Sequence, residues 1–557
     1  MSDNLTRRSI LPAAILALPR SAAAQPGPST GAATLAFDVR RYGVSPGSAM
    51  NTAAFERAFS ACSASGGGTV FVPAGVYVTG PIRIPSRATL YLDAGAMLKG
   101  SPTLTDYPLE RDPVSGESGR AGLVTARDAE NVAIEGRGVI DGNSMPFHDA
   151  SGWKAGEDYD KKYTRQKQDY MDRRFGTEHG PLPHGERPGN LVRFVNCRNV
   201  RLTGITIQNS PTWTTLIHQC TDVELSGLNI NSLGSGRRIP NDDGVDVRES
   251  QYVRITGCHI EVGDDCIALF GSRNVVASAC TMLSRSAGVR VGYMEGDTRD
   301  CVFQNLVIDS HCGLKVNVRG AGSVENVMFS DIVMRTGLIT GHWWGAGEPI
   351  HVSAAHGPGA SGMLGRIRNI RFSNISAESE AGIVLWGSED SVLRDIAFDE
   401  VDVAVRNGPL AASYGGNFDV RGTGDFSEGL FEHDIPGLFF RHIEGLSVRG
   451  LKLKWAGDVA AFFSNAIYGE RFRDVEIRDF CGRQAHADAA IRLRDGARIS
   501  IRDCRAAPGA SAFVDCENVS DQRMFVGNDL ADAKAAGRGH AWAQVVGNIA
   551  PRGGPAG

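Results

Sequence analysis

A short pattern recurs along most of this chain: polar, apolar, any, apolar, any, small or polar, apolar, any, apolar. It reads NVRLTGITI at Asn199–Ile207, DVELSGLNI at Asp222–Ile230, YVRITGCHI at Tyr252–Ile260 and NVVASACTM at Asn274–Met282. Looser copies begin at Asp300, Asn326, Asn369, Asp395, Gly445, Asp474 and Arg498. Tight intervals are about 22 to 30 residues, and the longer ones carry insertions. Within each copy the apolar residues alternate, a period of two that marks a strand. One short strand cannot bury its own face, whereas stacked coils share a core. A leucine-rich repeat would need regularly placed leucines and asparagine, and a propeller about four strands per blade of roughly 40 residues. The fold class expected is therefore all-β: a parallel β-helix, a single solenoid domain.

The flanking segments fit this plan. Phe37–Gly43 reads as a strand, and residues 52–58 as an amphipathic helix that caps the open end of the solenoid. Gly66–Pro73 and Gly136–Gly142 read as early coils. Two stretches, 143–188 and 406–440, interrupt the repeat as insertions, the first expected beside a cleft. The solenoid is expected over 25–545, and the Gly, Pro and Ala tail 546–557 is expected to be disordered.

Residues 1–24 read as an address label. Arg7-Arg8 precedes a short apolar run, Ile10–Pro19, and Ser21–Ala24 offers a small-residue cleavage site. The run is too short to span a bilayer, so a removed signal is expected, of twin-arginine type, with export of the mature chain. Chance arginines in an ordinary signal are the alternative, and also lead to export. No later segment is long and apolar enough to be transmembrane. The net charge of -5 and the lack of a basic block exclude a nucleic-acid tracker. The eleven cysteines are odd in number and fall at repeated strand positions, so they read as buried small hydrophobes rather than disulfide partners. No C-x-x-C or His-x-His cluster points to zinc, and neither a metal nor an organic cofactor is expected.

Chemistry concentrates in two acidic clusters about one repeat apart. Asn241-Asp242-Asp243-Gly244-Val245-Asp246 is followed by Gly263-Asp264-Asp265-Cys266-Ile267-Ala268-Leu269-Phe270. Like charges a few ångströms apart raise one another's pKa, so crowding carboxylates has a cost that a functional site can justify. Equivalent positions on successive coils lie about 4.8 Å apart, which places Asp243 beside Asp264. Asp265 reaches the same groove if the strand ends or bulges there. Three carboxylates in one cleft can divide the work, one keeping a proton as acid while others activate water, which is what glycosidic hydrolysis requires. A single such aspartate would read as a turn former.

These motifs resemble glycoside hydrolases of family 28, the polygalacturonase and rhamnogalacturonan-hydrolase group. The resemblance covers most of the mature chain. It includes Gly138–Gly142, Arg187-Pro188, Phe194–Cys197, Asn209–Trp213 and both acidic clusters. It implies a right-handed parallel β-helix, an oligo- or polysaccharide substrate and hydrolysis with inversion. Residue by residue it makes Asp264 the general acid, with Asp243 and Asp265 holding and deprotonating the water. Spacing alone does not choose inversion, because inverting enzymes hold their carboxyl groups about 6.5–9.5 Å apart.

The chain also departs from the family. No histidine lies between His259 and His311, where the family carries Gly-His-Gly. The Arg-Ile-Lys motif is replaced by Leu314-Lys315-Val316-Asn317. Lys315 then takes the arginine place and Asn317 the lysine place, or a shifted register makes Lys315 the lysine itself. Phe270 stands where the family has lysine. Loss of the bidentate arginine points to a different sugar or linkage, such as a rhamnogalacturonan or another branched acidic glycan. Arg290 either supplies a replacement charge or is a ladder arginine. Trp343 and Trp344 either stack on sugar or cover the core. Glu348 is a candidate to supplement the carboxylates, and Asn241 a substrate contact, whereas Trp213 is expected in the core. A β-helix lyase, with a base at C5 and a calcium ion on the acidic clusters, and a silent carbohydrate-binding protein are the rival readings. A monomer is expected.

Overall fold

The computed structural model describes residues 36–153, 157–171, 180–232, 238–539 and 542–552. The chain forms a right-handed parallel β-helix. Each coil in its middle contributes three strands. Val245–Arg248, Gln251–Thr256 and His259–Val262 make one, and Ile267–Phe270, Arg273–Ser278 and Thr281–Ser284 the next. They pair in parallel, with Val245 on Ile267, Val253 on Val275 and Ile260 on Met282.

The polar residue that opens each repeat has a backbone reason. Asn199, Asp222, Tyr252, Asn274, Asp300 and Asn326 have φ of 53, 59, 56, 55, 57 and 55°, the left-handed bend that swings the chain into the next strand. Asparagine and aspartate tolerate that region better than most side chains. Stacked copies also bond one another: Asn369 Nδ2 donates to Asn326 Oδ1 (2.8 Å), and Asn326 Nδ2 to Asp300 Oδ1 (3.0 Å). The alternating apolar residues point inward. Phe303, Phe329, Phe372 and Phe398 form one internal column, with successive ring centres 5.0, 5.2 and 5.1 Å apart, close to the rung spacing of about 4.8 Å.

Helix Thr52–Ala64 covers the first coils with a stripe of Phe55, Ala58, Phe59 and Cys62, the i, i+3, i+4, i+7 spacing of a core-facing helix. All eleven cysteines are unpaired, and all but Cys481 are buried. The expectation of a free tail fails at its start. Gln544–Val546 pair with Met524–Val526, and the Leu530 amide donates to Ile549 O (3.0 Å). The last coil therefore continues to Arg552, because backbone donors on the preceding rung find acceptors there. The expected signal, 1–24, lies outside the described residues. Among the described residues no helix is long and apolar enough to cross a membrane.

The two insertions meet above one face. Helix Asp158–Tyr163 belongs to the first, and the hairpin Asn417–Asp419/Leu430–Glu432 to the second. The Arg165 amide donates to Asn417 Oδ1 (2.8 Å), joining them. Beneath lie the outward-pointing residues of the first strand of each coil. One row runs Asp246, Ala268, Arg290, Lys315, His351, and its neighbour pairs Arg248 with Phe270. The inward residues Val245 and Val247 are wholly buried in the core. The outward row is buried too, by the loops above it.

Candidate active site

The acidic clusters occupy the turns that lead into Val245–Arg248 and Ile267–Phe270. The Gly244 amide donates to Asp265 O (2.9 Å), and Val245 pairs with Ile267. The register therefore stacks Asp243 on Asp265 and Asp242 on Asp264, not Asp243 on Asp264 as the repeat length suggested. Gly244 permits this close stacking. A Cβ there would stand 2.5 Å from Ile260 Cγ2 and 2.6 Å from Cys266 O. Carboxylate oxygens of Asp243, Asp264 and Asp265 lie within 4.8 Å of one another.

Their surroundings differ. Asp265 is buried and accepts from Ser286 Oγ (2.9 Å) and the Ala287 amide (3.0 Å), with Arg290 Nε 2.5 Å from its Oδ2. Burial opposes the Arg290 charge, but Asp265, Asp264 and Asp243 outweigh it and raise its pKa. Asp264 is half-buried and is held by two amides, Asn241 N on Oδ2 (3.2 Å) and Asp265 N on Oδ1 (3.1 Å). Burial, then the charge of Asp265, push its carboxyl up to about 7. Burial, followed by Asp246, Asp264 and Asp265, also raises Asp243 well above the usual range, and its Oδ1 has no partner among the described residues. Not all of these groups can be ionised together.

Two residues that the sequence did not single out brace the site. Asp242 faces away from the cavity and ties its turn to the next, accepting from Ser232 Oγ and the Gly263 amide (2.9 Å). Burial raises its carboxyl to about 6. Arg187, from the end of the first insertion, donates to Pro211 O (2.9 Å), Pro240 O (2.7 Å) and Asn241 Oδ1 (2.8 Å). It thereby fixes the residue whose amide holds Asp264. The only sequence signal was its place in a motif; its partners come from two loops, at Pro211 and at Pro240-Asn241.

A cavity of about 740 Å³ opens over the three carboxylates. Pro181–His184 of the first insertion line one part of it and His342–Trp344 another. Asn241, Arg248, Phe270 and Trp213 complete the floor and near wall. Trp213, expected in the core, is half-exposed and faces the cavity, because its loop leaves the coil before the strand begins.

A pH signature follows. The folded pKa of Asp264 lies above its value of about 3.9 in an unfolded chain, so the native state holds the extra proton between those values. Stability from this group is full below about 4 and falls as pH rises through about 7. Asparagine mimics the neutral form. The Asp264→Asn variant is therefore expected to gain melting temperature relative to the parent as pH goes from 5 to 8, measured by calorimetry at both. A difference that does not grow with pH contradicts a proton held on Asp264.

The sequence pattern described as Glycosyl hydrolases family 28 matches residues 62–413. The chain belongs to this family. A "Probable polygalacturonase" of Vitis vinifera is 25% identical over 365 residues, covering 60% of this chain and 67% of that one. An "Exo-poly-alpha-D-galacturonosidase" of Dickeya chrysanthemi is 24% identical over 438 residues, 72% of this chain and 66% of that one. The crystal structure of a hyperthermoactive exopolygalacturonase from Thermotoga maritima superposes with a TM-score of 0.52 at 25% identity, covering 67% of this chain and 87% of that one. The chain spans about half the length of further plant relatives, 54% and 48% for two of them.

Against this family 28 frame, three expected substrate contacts are displaced. Lys315, Asn317 and Glu348 are 2%, 1% and 1% exposed, and none lines the cavity. The loop 342–351 and the insertion 406–440 roof the outward row beyond Arg290. Asn317 Nδ2 donates to Ser353 Oγ (2.8 Å), and Lys315 lies near Asp419, whose acidity it increases. Glu348 accepts from the Ala346 amide (2.6 Å) and faces His351 Nδ1 (3.4 Å), so it shapes its own loop and is no spare catalytic acid. Arg290 is engaged by Asp265.

Trp343 and Trp344 both reach the cavity. The Arg285 guanidinium lies 5.4 Å from the Trp343 ring centre, and that of Arg290 5.4 Å from Trp344. His184 and His342 line the cavity, neither where the motif would place a histidine. His342 Nδ1 stands 3.1 Å from Asp160 Oδ2 and 3.2 Å from Arg421 Nη1.

Proposed function

We propose that this family 28 member hydrolyses glycosidic bonds of a pectin-like acidic glycan from a chain end, by acid–base catalysis with inversion, after export. The observation that carries the reading is the meeting of Asp243, Asp264 and Asp265 within 4.8 Å under a cavity. Asp264 is the most accessible of the three and, at about 7, still carries a proton near neutrality. It donates that proton to the departing sugar oxygen. Asp265, matched by Arg290, deprotonates water on the other face of the sugar ring, and Asp243 orients that water. Inversion is supported by family membership, not by the carboxylate spacing.

Action at a chain end is supported by the walls. Segments 181–184 and 342–344 line the cavity over the carboxylates on two sides. The Dickeya and Thermotoga relatives are named as exo-acting enzymes. Export is supported by the composition of residues 1–24.

The test is a panel of polygalacturonan, rhamnogalacturonan and xylogalacturonan, with products separated by size and the first anomer read by proton NMR. Monomer or dimer released from the earliest time point, in the inverted configuration, is expected. A ladder of long fragments contradicts chain-end action. The same three carboxylates are placed to hold a divalent cation, the arrangement that a lyase would use. Products absorbing as unsaturated uronates, with loss of activity in chelator, would establish that reading instead.

A further inference from the structure

Two of the arginines at this cavity are already engaged by the protein. Arg187 spends its donors on Pro211, Pro240 and Asn241, and Arg290 is paired with Asp265. Arg248 differs. It projects outward from the end of its strand, and its guanidinium carbon lies 4.4 Å from the Phe270 ring centre and 5.4 Å from that of Trp213. All three residues line the cavity. Among the described residues the Arg248 guanidinium makes no hydrogen bond and no ion pair within 4.0 Å; its backbone carbonyl accepts from the Gln219 amide and Ser250 Oγ.

Chemistry explains why a guanidinium would be built this way. Aromatic faces stabilise the cation and hold its plane, while leaving its N–H edge free. That edge is a fork matched to the two oxygens of a carboxylate. An arginine needed only for charge balance would sit on Asp246, two residues earlier in the same outward-facing strand. Asp246 instead is fully buried with both oxygens unpartnered among the described residues. The other charges that act on Arg248, those of Glu249, Asp243 and Asp112, do so from beyond contact range.

We propose that Arg248, presented on Trp213 and Phe270, is the specificity-determining residue that takes the carboxylate of a bound acidic sugar, so that the pocket selects an anionic saccharide over its neutral counterpart. This deepens the hydrolase reading by naming the group that reads substrate charge. It also accounts for Phe270, which supplies a platform for a cation contributed by the neighbouring rung.

The test uses the full chain carrying Asp264→Asn, so that binding is read without turnover. Tetragalacturonate and its fully methyl-esterified form are titrated by calorimetry at low salt. The acid is expected to bind about 10- to 100-fold more tightly, the range that a charged hydrogen-bonded pair supports. Adding Arg248→Gln should remove that preference by weakening the acid alone, and Arg248→Lys should restore part of it. Equal affinity for acid and ester in the parent overturns the proposal, as does a loss in Arg248→Gln that is the same for both. The parent comparison holds even if the glutamine variant folds poorly. Turnover of pectic acid without charge-selective binding would leave the hydrolase reading standing and remove this one; charge-selective binding without turnover would do the reverse.

Discussion

Asp264→Asn is expected to lower kcat on the cleaved glycan by about 10³- to 10⁴-fold, near the upper end of what a positioned general acid contributes. KM should change little, because the side chain keeps its size and the walls of the pocket are untouched. The fold should also survive. Asp264 is held by two backbone amides and no side-chain cation, and an asparagine oxygen can keep one of those bonds. The comparison variant is Asp265→Asn, which is expected to lose activity and also stability. It removes the charge that matches Arg290 and leaves a buried guanidinium short of its partner. A catalytic acid thus separates from an ion-paired carboxylate by melting temperature at equal loss of rate. An Asp264→Asn protein retaining more than a tenth of parental kcat would remove Asp264 from the acid role.

The architecture was legible because it is periodic. Alternating Val and Ile columns and the mostly polar residue that opens each repeat recur so often that insertions cannot hide them. The acidic clusters were legible because stacking turns a sequence interval into a distance. The pairing within them was not, since a one-residue slip exchanges Asp264 for Asp265, and only the ladder bond from Gly244 fixes it. What failed was everything settled by the roof. Lys315, Asn317 and Glu348 look like substrate groups when the outward face is taken as open, and they are structural because the loop 342–351 and the insertion 406–440 close over them. Trp213 looks like core when only its neighbours in sequence are read. Arg248 gave no sign, because its meaning lies in rings contributed by the two adjoining coils.

The roof itself makes the second large prediction. Arg421, in the second insertion, is buried and reaches Asp419 Oδ2 at 2.7 Å, Asp160 Oδ2 of the first insertion at 3.6 Å, and the Trp343 carbonyl. Asp419 in turn accepts the Gly345 amide at 2.5 Å. Burial opposes both charges, yet their mutual attraction lowers the Asp419 pKa and raises that of Arg421. One guanidinium therefore joins both insertions to the loop that carries Trp343 and Trp344. Arg421→Met takes from Asp419 and Asp160 the guanidinium they share, a defect of about 3–5 kcal/mol. The loss should be local, read as faster amide exchange in 342–348 and 417–421 with the solenoid strands unchanged. KM should rise more than kcat falls, because the tryptophan wall loosens while the carboxylates stay on their rungs. Asp419→Leu combined with Arg421→Met should lose less than the single Arg421→Met, since an apolar pair strands one fewer charge. Unaltered exchange in 342–348 in the single variant would mean that the wall is set by its own loop, with Glu348 as its anchor, and that the insertions merely lie above it.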